Sequence, residues 1–526
     1  MNNMSNSVKS VFDLEKLTYC GEGNRTIVVS NTSSGWILRI RKSDETATSS
    51  HDGSSSSNCL STLAQFSVAP YILRYFGSRF TRKMHLLQAS PTFLRRLEEK
   101  IAPHRPDYRL IKGVDLTEPC MIAAPDAAQI PAFLSRFTYG PTISVEIKPK
   151  FGAFPLWPAA GSVNLLKTSA SLFCLRQLHS RKLSRWRQCS MYCPCDMFSG
   201  NRGRMRRSLH ALLNTPQNNI RIHLDSEVIF SHEQDRLDSG LERFFFPTDG
   251  LPDTVNGGHN PIASEQPLSE LVDGHKQNCK MHACQFVNHR DRLVGGLLVD
   301  ALLYEFDSVK DSAAPISLHS SGDRAPFSMD CKLHKEVPLN GHLDEAEENR
   351  NGTSTHPKTD LDRRHHEVDP LSPLPPVGSV LGRILAVQLL SRDDICFIVS
   401  HFERVYKYLT SEGLTWDAYM QPSSKCVVPP TDLAESFDIV ERYLIALVAR
   451  DCSIMITFQR AAPNCPSWVP TVGGGACSCL PLMVMNPVII DLDPKPLTSI
   501  HGRFADEQSI AIQALEHCPH LLYSYL

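Results

Sequence analysis

Apolar and polar residues alternate with the period of a β-strand in several stretches. Residues 26–30 and 36–40 alternate in this way and flank the turn-forming residues 31–35, a pattern typical of a β-hairpin. In the run TISVEIKPK, residues 142–150, every second position up to Ile147 is apolar, which predicts another strand. Pro149 cannot donate a backbone hydrogen bond, so we expect this run to be a strand end or an edge strand.

Other stretches have the apolar spacing of helices. Such spacing links the leucines at 165, 172, 175 and 178, and it resumes in SVLGRILAVQLL, residues 379–390. Residues 437–458 predict a helix that leads into a strand, with Asp451 at the junction. Residues 486–497 predict a further strand that ends in acidic residues. We therefore expect both helices and strands in the fold.

The run 142–150 also carries candidate chemistry. A period of two places Glu146, Lys148 and Lys150 on the face opposite the apolar one. Two lysines and a glutamate on one stiff segment suit the binding of phosphate and of a metal-bound nucleotide. A solvated strand face has the same composition, and the run alone does not decide between the two.

Two glycines precede the predicted hairpin. Gly21 and Gly23 would let backbone N–H groups approach a phosphate closely, and Arg39 on the second strand would direct a cation to the same place. A turn without a ligand is the alternative for so short a glycine pattern. The chain contains no GxxxxGK[ST] sequence, so we expect no Walker-type phosphate loop.

Positive charge is concentrated in residues 146–221. This stretch has thirteen lysines and arginines against Glu146 and Asp196, whereas the formal net charge of the 526-residue chain is −2. A basic block in a nearly neutral protein predicts a focused anionic partner. For each single arginine, a solvated helix face is the alternative.

Carboxylates gather where the C-terminal strand is predicted to end. Asp491 and Asp493 follow the apolar run 487–490 directly, and Lys495 comes next. Carboxylates in this position suit Mg²⁺, which keeps several waters and shares phosphate oxygens with the protein. A strand-end turn with exposed acids is the alternative.

Nine short segments in a fixed order carry a resemblance to a known family. They are GEGN, LRIRK, RPDYR, EIKPK, YCPCDMFSGN, PQNN, FFFP, RDCSIMI and DLDPKP, between about residues 19 and 504. Through these segments the chain resembles the inositol-pentakisphosphate 2-kinase family. The resemblance implies an α+β, two-lobed inositol polyphosphate kinase fold that is distantly similar to protein kinases. It also implies transfer of the γ-phosphoryl group of ATP, with Mg²⁺, to the 2-hydroxyl of inositol 1,3,4,5,6-pentakisphosphate, which gives inositol hexakisphosphate (phytate).

The resemblance also divides the chain. It implies a smaller, nucleotide-side lobe over residues 1–126 and a larger, inositol phosphate-side lobe over residues 127–526. Residues 307–377 are rich in Ser, Pro, His and charge, so we expect a disordered insertion in the larger lobe. The serine-rich stretch 43–58 is expected to be a disordered loop of the smaller lobe.

Roles for individual residues follow from the resemblance. Adenine would contact a hinge near residues 124–126. The implied nucleotide-binding residues are Gly21, Gly23, Asn24, Arg39, Asp126, Glu146 and Arg221. Asp491 would bind the metal, with Asp493 assisting. Asp451 would take the hydroxyl proton, and Lys148 would bridge the transferring phosphoryl group. The implied inositol phosphate contacts are Arg109, Lys150, Asn218 and Lys495.

Three positions depart from the family pattern. The helix after LLKTSAS usually carries an arginine where this chain has Leu172 and a lysine near Ser180. A tyrosine often found after DLDxKP is replaced around Arg503 and Phe504. Nearby cations that could compensate are Arg176, Arg181 and Lys182. These differences bear on substrate affinity and selectivity more than on the class of reaction.

Composition and targeting signals indicate a globular intracellular protein. Apolar residues make up 42% of the chain, the first residues lack the apolar core of a signal peptide, and no apolar run reaches transmembrane length. We therefore expect the seventeen cysteines to be free thiols and the protein to act in the cytoplasm, the nucleus or both. We expect a monomer whose partners are small molecules, without membrane or nucleic acid.

A non-catalytic protein on the same fold, which binds inositol phosphate or RNA, is the alternative function. The replaced residues at 172 and 180 favour this alternative. The combination of Asp451, Asp491 and Lys148 favours the kinase, because a protein that only binds does not need a base and metal-binding carboxylates.

Overall fold

The computed structural model describes most of the chain. The described residues are 13–31, 33–43, 62–118, 120–155, 166–168, 170–183, 188–247, 288–306, 374–420, 428–474 and 480–517. The predicted disordered insertion lies outside these ranges except for residues 374–377, and the predicted loop 43–58 lies outside them except for Ser43.

Helices and strands are mixed along the described chain, as an α+β fold requires. The strands are β1 (Leu17–Glu22), β2 (Thr26–Asn31), β3 (Trp36–Arg41), β4 (His85–Gln88), β5 (Cys120–Pro125), β6 (Thr138–Ile147), β7 (Ile220–Leu224), β8 (Glu227–Phe230), β9 (Ser453–Ala461), β10 (Thr471–Val472) and β11 (Met483–Ile490). The α-helices are α1 (Thr62–Phe76), α2 (Pro91–Ile101), α3 (Ala132–Ser135), α4 (Leu172–Lys182), α5 (Pro194–Met197), α6 (Arg202–Asn214), α7 (Leu237–Phe245), α8 (His289–Leu293), α9 (Val299–Leu303), α10 (Val380–Gln388), α11 (Ile395–Ser411), α12 (Trp416–Met420), α13 (Ala434–Asp451) and α14 (Ser499–His517). None of these helices is long and apolar enough to cross a membrane.

An antiparallel five-stranded sheet, in the order β1-β2-β3-β5-β4, forms the N-terminal part of the structure. The predicted hairpin is confirmed, because β2 and β3 pair with Asn31 opposite Trp36. Gly21 lies within β1, opposite Val28, rather than in a loop before the hairpin. The sheet packs on the amphipathic helix α2 through buried residues such as Leu97.

A six-stranded sheet, in the order β10-β11-β9-β6-β7-β8, contains Glu146 and Arg221, and several other candidate residues directly precede or follow its strands. The predicted strand 142–147 is confirmed as the end of β6. Of the two alternatives predicted from Pro149, the strand end is confirmed, because β6 ends at Ile147. The edge strand is not found, because β6 pairs with β9 on one side and β7 on the other. Pro149 is compatible with this interior place because the strand ends at Ile147, so no ladder hydrogen bond is lost.

The long apolar helix and the strand after it are confirmed as α13 and β9. Helix α13 buries eleven of its residues, mainly in the largest hydrophobic core, beside α10 and α11. It ends at Asp451, and β9 begins at Ser453, so the predicted junction is correct. The leucine-rich helix begins only at Leu172, after a 3₁₀ turn over Leu166–Thr168, and Leu165 lies outside the described residues.

The pairing register brings four distant segments to one edge of this sheet. Ile147, at the end of β6, lies opposite Ile454 of β9 and Ile220 of β7. Ile490, at the end of β11, lies opposite Ser453. The residues that follow β6 and β11 and those that precede β9 and β7 are therefore neighbours in space.

Candidate active site

Lys148 lies between two carboxylates at the edge of the six-stranded sheet where β6 and β11 end. Its Nζ is 3.5 Å from Glu146 Oε1 and 3.5 Å from Asp491 Oδ2. Ser453 Oγ lies 3.1 Å and 3.0 Å from the same two carboxylates. Burial alone would lower the pKa of Lys148, but the charges of Glu146 and Asp491 raise it, so the side chain is a fixed ammonium group.

Two residues at this edge have left-handed backbone conformations. Lys150 has φ of 60° and Asp491 has φ of 61°, values that are uncommon for residues other than glycine. The Gln388 amide donates to the carbonyls of Lys150 at 2.7 Å and Ala449 at 3.0 Å, and its oxygen accepts from Gly152 N–H at 3.1 Å. A buried glutamine thus ties the segment after β6 to the end of α13. Backbone strain that is held in place by such contacts is typical of functional sites.

Asp451 is surrounded by cations. Lys495 Nζ lies 3.0 Å from Asp451 Oδ2, and Arg503 Nη2 donates to the same oxygen. Burial would raise the pKa of Asp451, but the positive charges of Arg503 and Lys495 outweigh it and lower the pKa to about 2. The carboxylate is therefore ionised at neutral pH.

Lys150 is the most strongly perturbed cation of the group. Burial lowers its pKa to about 8, the opposite charge of Asp451 resists this change, and the like charges of Lys148, Arg176 and Arg503 reinforce it. A cation in this environment is expected to bind an anion strongly, because the anion would relieve the repulsion among like charges.

An ion pair connects the five-stranded sheet to the segment after β11. Arg39 Nη2 lies 2.5 Å from Asp493 Oδ2. Burial would lower the pKa of Arg39, but Asp493 and Asp491 raise it. For Asp491, burial raises the pKa, and the charges of Lys148 and Arg39 bring it below its usual value. Arg39 therefore acts on both carboxylates of the predicted metal pair.

The segment GEGN, residues 21–24, which we call the glycine loop, lies beside the predicted ligand residues Arg109 and Arg221. Asn24 Oδ1 accepts a hydrogen bond from Arg109 Nη1 at 2.9 Å. A Cβ atom on Gly21 would lie 3.4 Å from Arg221 Nη1, an ordinary contact distance, so Gly21 and the Arg221 guanidinium are neighbours. Arg221 also lies opposite Glu146 in the β6–β7 ladder. The structure thus brings Gly21, Arg221 and Glu146 together.

Asp126 and Asn218 occupy turns at the margin of the site. The Asp126 carboxylate accepts from Ala128 N–H at 2.9 Å and from the Ser30 hydroxyl at 3.3 Å, which fixes the turn after β5. Asn218 is exposed in the turn before β7. A hydrogen bond connects that turn to the segment after β6, because Lys148 N–H donates to the carbonyl of Asn219 at 2.8 Å.

Sequence reasoning missed a buried ion network beneath the glycine loop. Glu22, Lys42 and Arg105 have side chains that are only 2%, 2% and 1% exposed. Arg105 donates to both oxygens of Glu22 at 2.9 Å and also to the carbonyls of Arg109 and Lys112. Burial would raise the pKa of Glu22, but hydrogen bonds from Arg105 and Lys42 lower it. The available signal was that Glu22 and Arg105 lie in GEGN and RPDYR.

Two of the departures from the family pattern, Leu172 and Ser180, lie on α4. Leu172 lines a cleft with Lys167 and Arg450. Lys167 pairs with Asp394 at 3.1 Å, and Arg450 Nη2 donates to the carbonyl of Ser391 at 2.6 Å. Arg176 is half-exposed, pairs with Asp506 of α14 and contributes to the lowered pKa of Lys150. Ser180 is buried. The side chains of Arg181 and Lys182, the other two cations that could compensate, are not among those that the structure describes.

The donor set at the strand end suits a magnesium ion. In the part of the chain that the structure describes, no group of three or more His, Cys, Asp or Glu side chains is arranged to hold a metal alone. Asp491 and Asp493 supply hard oxygen donors on one segment. This pair fits Mg²⁺, which typically takes one or two protein carboxylates and completes its shell with water and substrate phosphates.

Comparisons with known proteins identify the family of the chain. A family model described as Inositol-pentakisphosphate 2-kinase matches residues 19–509. The inositol-pentakisphosphate 2-kinase of Danio rerio is 28% identical over 514 residues, which cover 94% of this chain and 91% of the relative. The inositol-pentakisphosphate 2-kinase of Arabidopsis thaliana is 28% identical over 283 residues, 53% of this chain and 58% of the relative. The chain belongs to the inositol-pentakisphosphate 2-kinase family.

Proposed function

We propose that this protein transfers the γ-phosphoryl group of ATP to the 2-hydroxyl of inositol 1,3,4,5,6-pentakisphosphate and so forms inositol hexakisphosphate (phytate). The observation that carries the proposal is the ionised Asp451 carboxylate, which lies among Lys150, Lys495 and Arg503. A base surrounded by cations suits a hydroxyl that is flanked by phosphates. The family supplies the identity of the substrate, and the site supplies the chemistry.

In the proposed reaction, the 2-hydroxyl oxygen forms a bond to the γ-phosphorus while the bond from that phosphorus to the ADP oxygen breaks. The hydroxyl proton passes to Asp451. Phosphoryl transfer asks the protein mainly for positioning and for neutralisation of charge. Lys148, which Glu146 and Asp491 hold as a fixed ammonium, would bridge the transferring group.

Asp491 and Asp493 would hold Mg²⁺ on the nucleotide phosphates. When bound, the ion would neutralise charge on those phosphates. Lys148 and Arg39, which pair with these carboxylates in the protein alone, would then be free to contact the phosphates themselves.

The inositol phosphate would bind to the cationic part of the site. Its five phosphates require several cations, and the proposed contacts are Arg109, Lys150, Asn218 and Lys495. Arg109 is tied to the glycine loop through Asn24, so one residue would link the acceptor to the nucleotide side.

The nucleotide would lie between the two sheets. The proposed contacts are Gly21, Gly23, Asn24, Arg39, Asp126, Glu146 and Arg221, with adenine at residues 124–126. We further propose a two-lobed, distantly protein-kinase-like arrangement, with residues 1–126 as the nucleotide side and 127–526 as the acceptor side. The strands of the five-stranded sheet all fall within 17–125 and those of the six-stranded sheet within 138–490, which supports this division.

We expect the protein to act as a monomer in the cytoplasm or nucleus. The cysteines within the described ranges are free thiols, which supports an intracellular compartment.

The alternative is a non-catalytic inositol phosphate- or RNA-binding protein. The positions of Leu172 and Ser180 favour it, since they lack the usual cations of the family. A kinase assay separates the two: the protein is incubated with ATP, Mg²⁺ and inositol pentakisphosphate, and the products are resolved by anion exchange. Inositol hexakisphosphate formed by the wild type and lost in Asp451→Ala supports the kinase. Tight binding of the inositol phosphate without any product supports the alternative.

A further inference from the structure

The proposed base has no free position for a proton on the oxygen that faces the cations. Both Lys495 Nζ and Arg503 Nη2 contact Asp451 Oδ2. General-base catalysis is most efficient when the pKa of the base lies near the working pH. Two cations on Oδ2 occupy that oxygen and lower the pKa of the carboxylate, so the loss of one partner would make Asp451 a stronger proton acceptor.

The position of Arg503 allows it to exchange the Asp451 carboxylate for a ligand. Its side chain is 29% exposed and that of Lys495 is 23% exposed, so both are open to a ligand. Arg503 lies in the first turns of α14, which packs on α4, where Arg176 stands. The charges of both Arg176 and Arg503 lower the pKa of Lys150, so the three cations lie near one another. A phosphate that enters this group of cations carries more charge than one carboxylate and accepts a bidentate contact from arginine.

We infer that Arg503 is a positioning residue that changes partner, from the Asp451 carboxylate in the free protein to a phosphate of the acceptor in the complex. Asp451 then becomes a stronger acceptor for the hydroxyl proton when a polyphosphorylated inositol is bound. This inference rests on the proposed function and deepens it. It also gives a role to Arg503, which the proposed reaction does not otherwise use.

The electrostatics of the free protein agree with this exchange. Burial would raise the pKa of Asp451, and Arg503 and Lys495 keep it low at about 2. The cations that interact with Asp451 are Lys150 after β6, Lys495 before α14, Arg503 on α14 and Arg450 on α13. When a phosphate takes Arg503 away, the effect of burial is less opposed, so the carboxylate becomes a better proton acceptor.

A double-mutant cycle on the full chain tests the exchange by binding alone. Affinity for inositol 1,3,4,5,6-pentakisphosphate is measured by calorimetry, without ATP, for the wild type, Arg503→Gln, Asp451→Asn and the double variant. We expect Arg503→Gln to weaken binding about tenfold or more. We expect Asp451→Asn to strengthen binding, because no internal ion pair must break. The gain from Asp451→Asn must be smaller in the Arg503→Gln background.

The sign of the coupling decides the matter. If Arg503 stays on Asp451 as a static ion pair, its loss leaves a bare carboxylate, and the gain from Asp451→Asn is then equal or larger in the Arg503→Gln background. That result overturns the inference. Arg236→Gln is the matched control, because Arg236 also pairs with a carboxylate, Glu227, but on an exposed surface; its affinity must equal that of the wild type. If Arg503→Gln does not fold, Arg503→Lys is measured instead, because lysine keeps the positive charge but cannot make a bidentate contact with phosphate. If Arg503→Lys binds the inositol phosphate with the affinity of the wild type, the result counts against the exchange.

Different results would contradict the inference about Arg503 and the proposed kinase function. A wild type that forms hexakisphosphate but shows no coupling, or coupling of the opposite sign, contradicts only the inference. A wild type that binds the inositol phosphate with the expected coupling but forms no product contradicts the kinase, and it leaves the exchange of partners as a property of the binding site.

Discussion

Arg39 and Asp493 are 454 positions apart in the chain, yet Arg39 Nη2 lies 2.5 Å from Asp493 Oδ2. The pair joins a strand of the five-stranded sheet to the segment that carries the proposed metal carboxylates. A residue proposed to contact nucleotide phosphates is therefore aligned with the metal site before any ligand is present. Such alignment reduces the ordering cost of assembling the site when ATP binds.

Arg39→Gln is expected to raise the KM for ATP by about tenfold or more, because a charged contact to phosphate is lost. The KM for the inositol phosphate should change little. Arg41→Gln is the matched control, since Arg41 lies on the same strand and pairs with Asp115 rather than Asp493. Equal effects of the two substitutions on the KM for ATP would contradict the role given to Arg39.

Lys148→Met is expected to lower kcat by about 10²–10³-fold, as removal of one preorganised charge on a transition state does in other enzymes. The KM for the inositol phosphate should stay close to the wild-type value. Steady-state kinetics with varied acceptor separates the two parameters. A variant that loses affinity for the acceptor while it keeps kcat would show that Lys148 binds substrate and does not bridge the phosphoryl group.

The affinity for the acceptor should fall as the pH rises through about 8, the lowered pKa of Lys150. Below that pH, Lys150 is charged and attracts phosphate; above it, the amine is neutral and the attraction is lost. The KM for the inositol phosphate, measured between about pH 7 and about pH 9.5, should therefore rise on the alkaline side. Lys150→Arg keeps its charge throughout this range, so its alkaline rise should disappear. A rise that persists unchanged in Lys150→Arg would assign it to another group.

Arg105→Met is expected to lower the free energy of unfolding by about 3–5 kcal/mol, because Glu22 would remain buried without its bidentate partner. Urea unfolding of the full chain, followed by tryptophan fluorescence, measures the loss. Arg236→Met removes a surface pair with Glu227 and should cost less than about 1 kcal/mol. Comparable losses in the two variants would mean that the buried network contributes no more than a surface pair.

Local pattern was enough to predict the elements that carry the site. The alternation before Lys148, the apolar run before Asp491 and the helix that ends at Asp451 are signals contained within short stretches, and each appears where it was expected. The interior position of β6 was not predictable in this way, since it depends on which strands lie beside it. Pro149 is compatible with a strand end and with an edge strand, and only the pairing of β6 with β7 and β9 decides between the two.

The partners of the site residues required the structure. Arg39 with Asp493 and Arg503 with Asp451 depend on how the two sheets and α14 are placed, and no spacing in the sequence encodes them. The same holds for Glu22 and Arg105, which are 83 positions apart. Ser453 gave no signal because a serine at the start of a strand is ordinary, although its hydroxyl lies between two carboxylates of the site.

The roles assigned to the other site residues depend on phosphorylation of the 2-hydroxyl with Asp451 as the base. The most direct measurement is the NMR assignment of the product formed from inositol 1,3,4,5,6-pentakisphosphate, ATP and Mg²⁺ by the wild type and by Asp451→Asn, with binding of the acceptor checked in both. We predict a new phosphate at position 2 with the wild type, and no product with Asp451→Asn despite intact binding. Absence of product with a wild type that binds both ligands, or undiminished turnover by Asp451→Asn, would contradict the account.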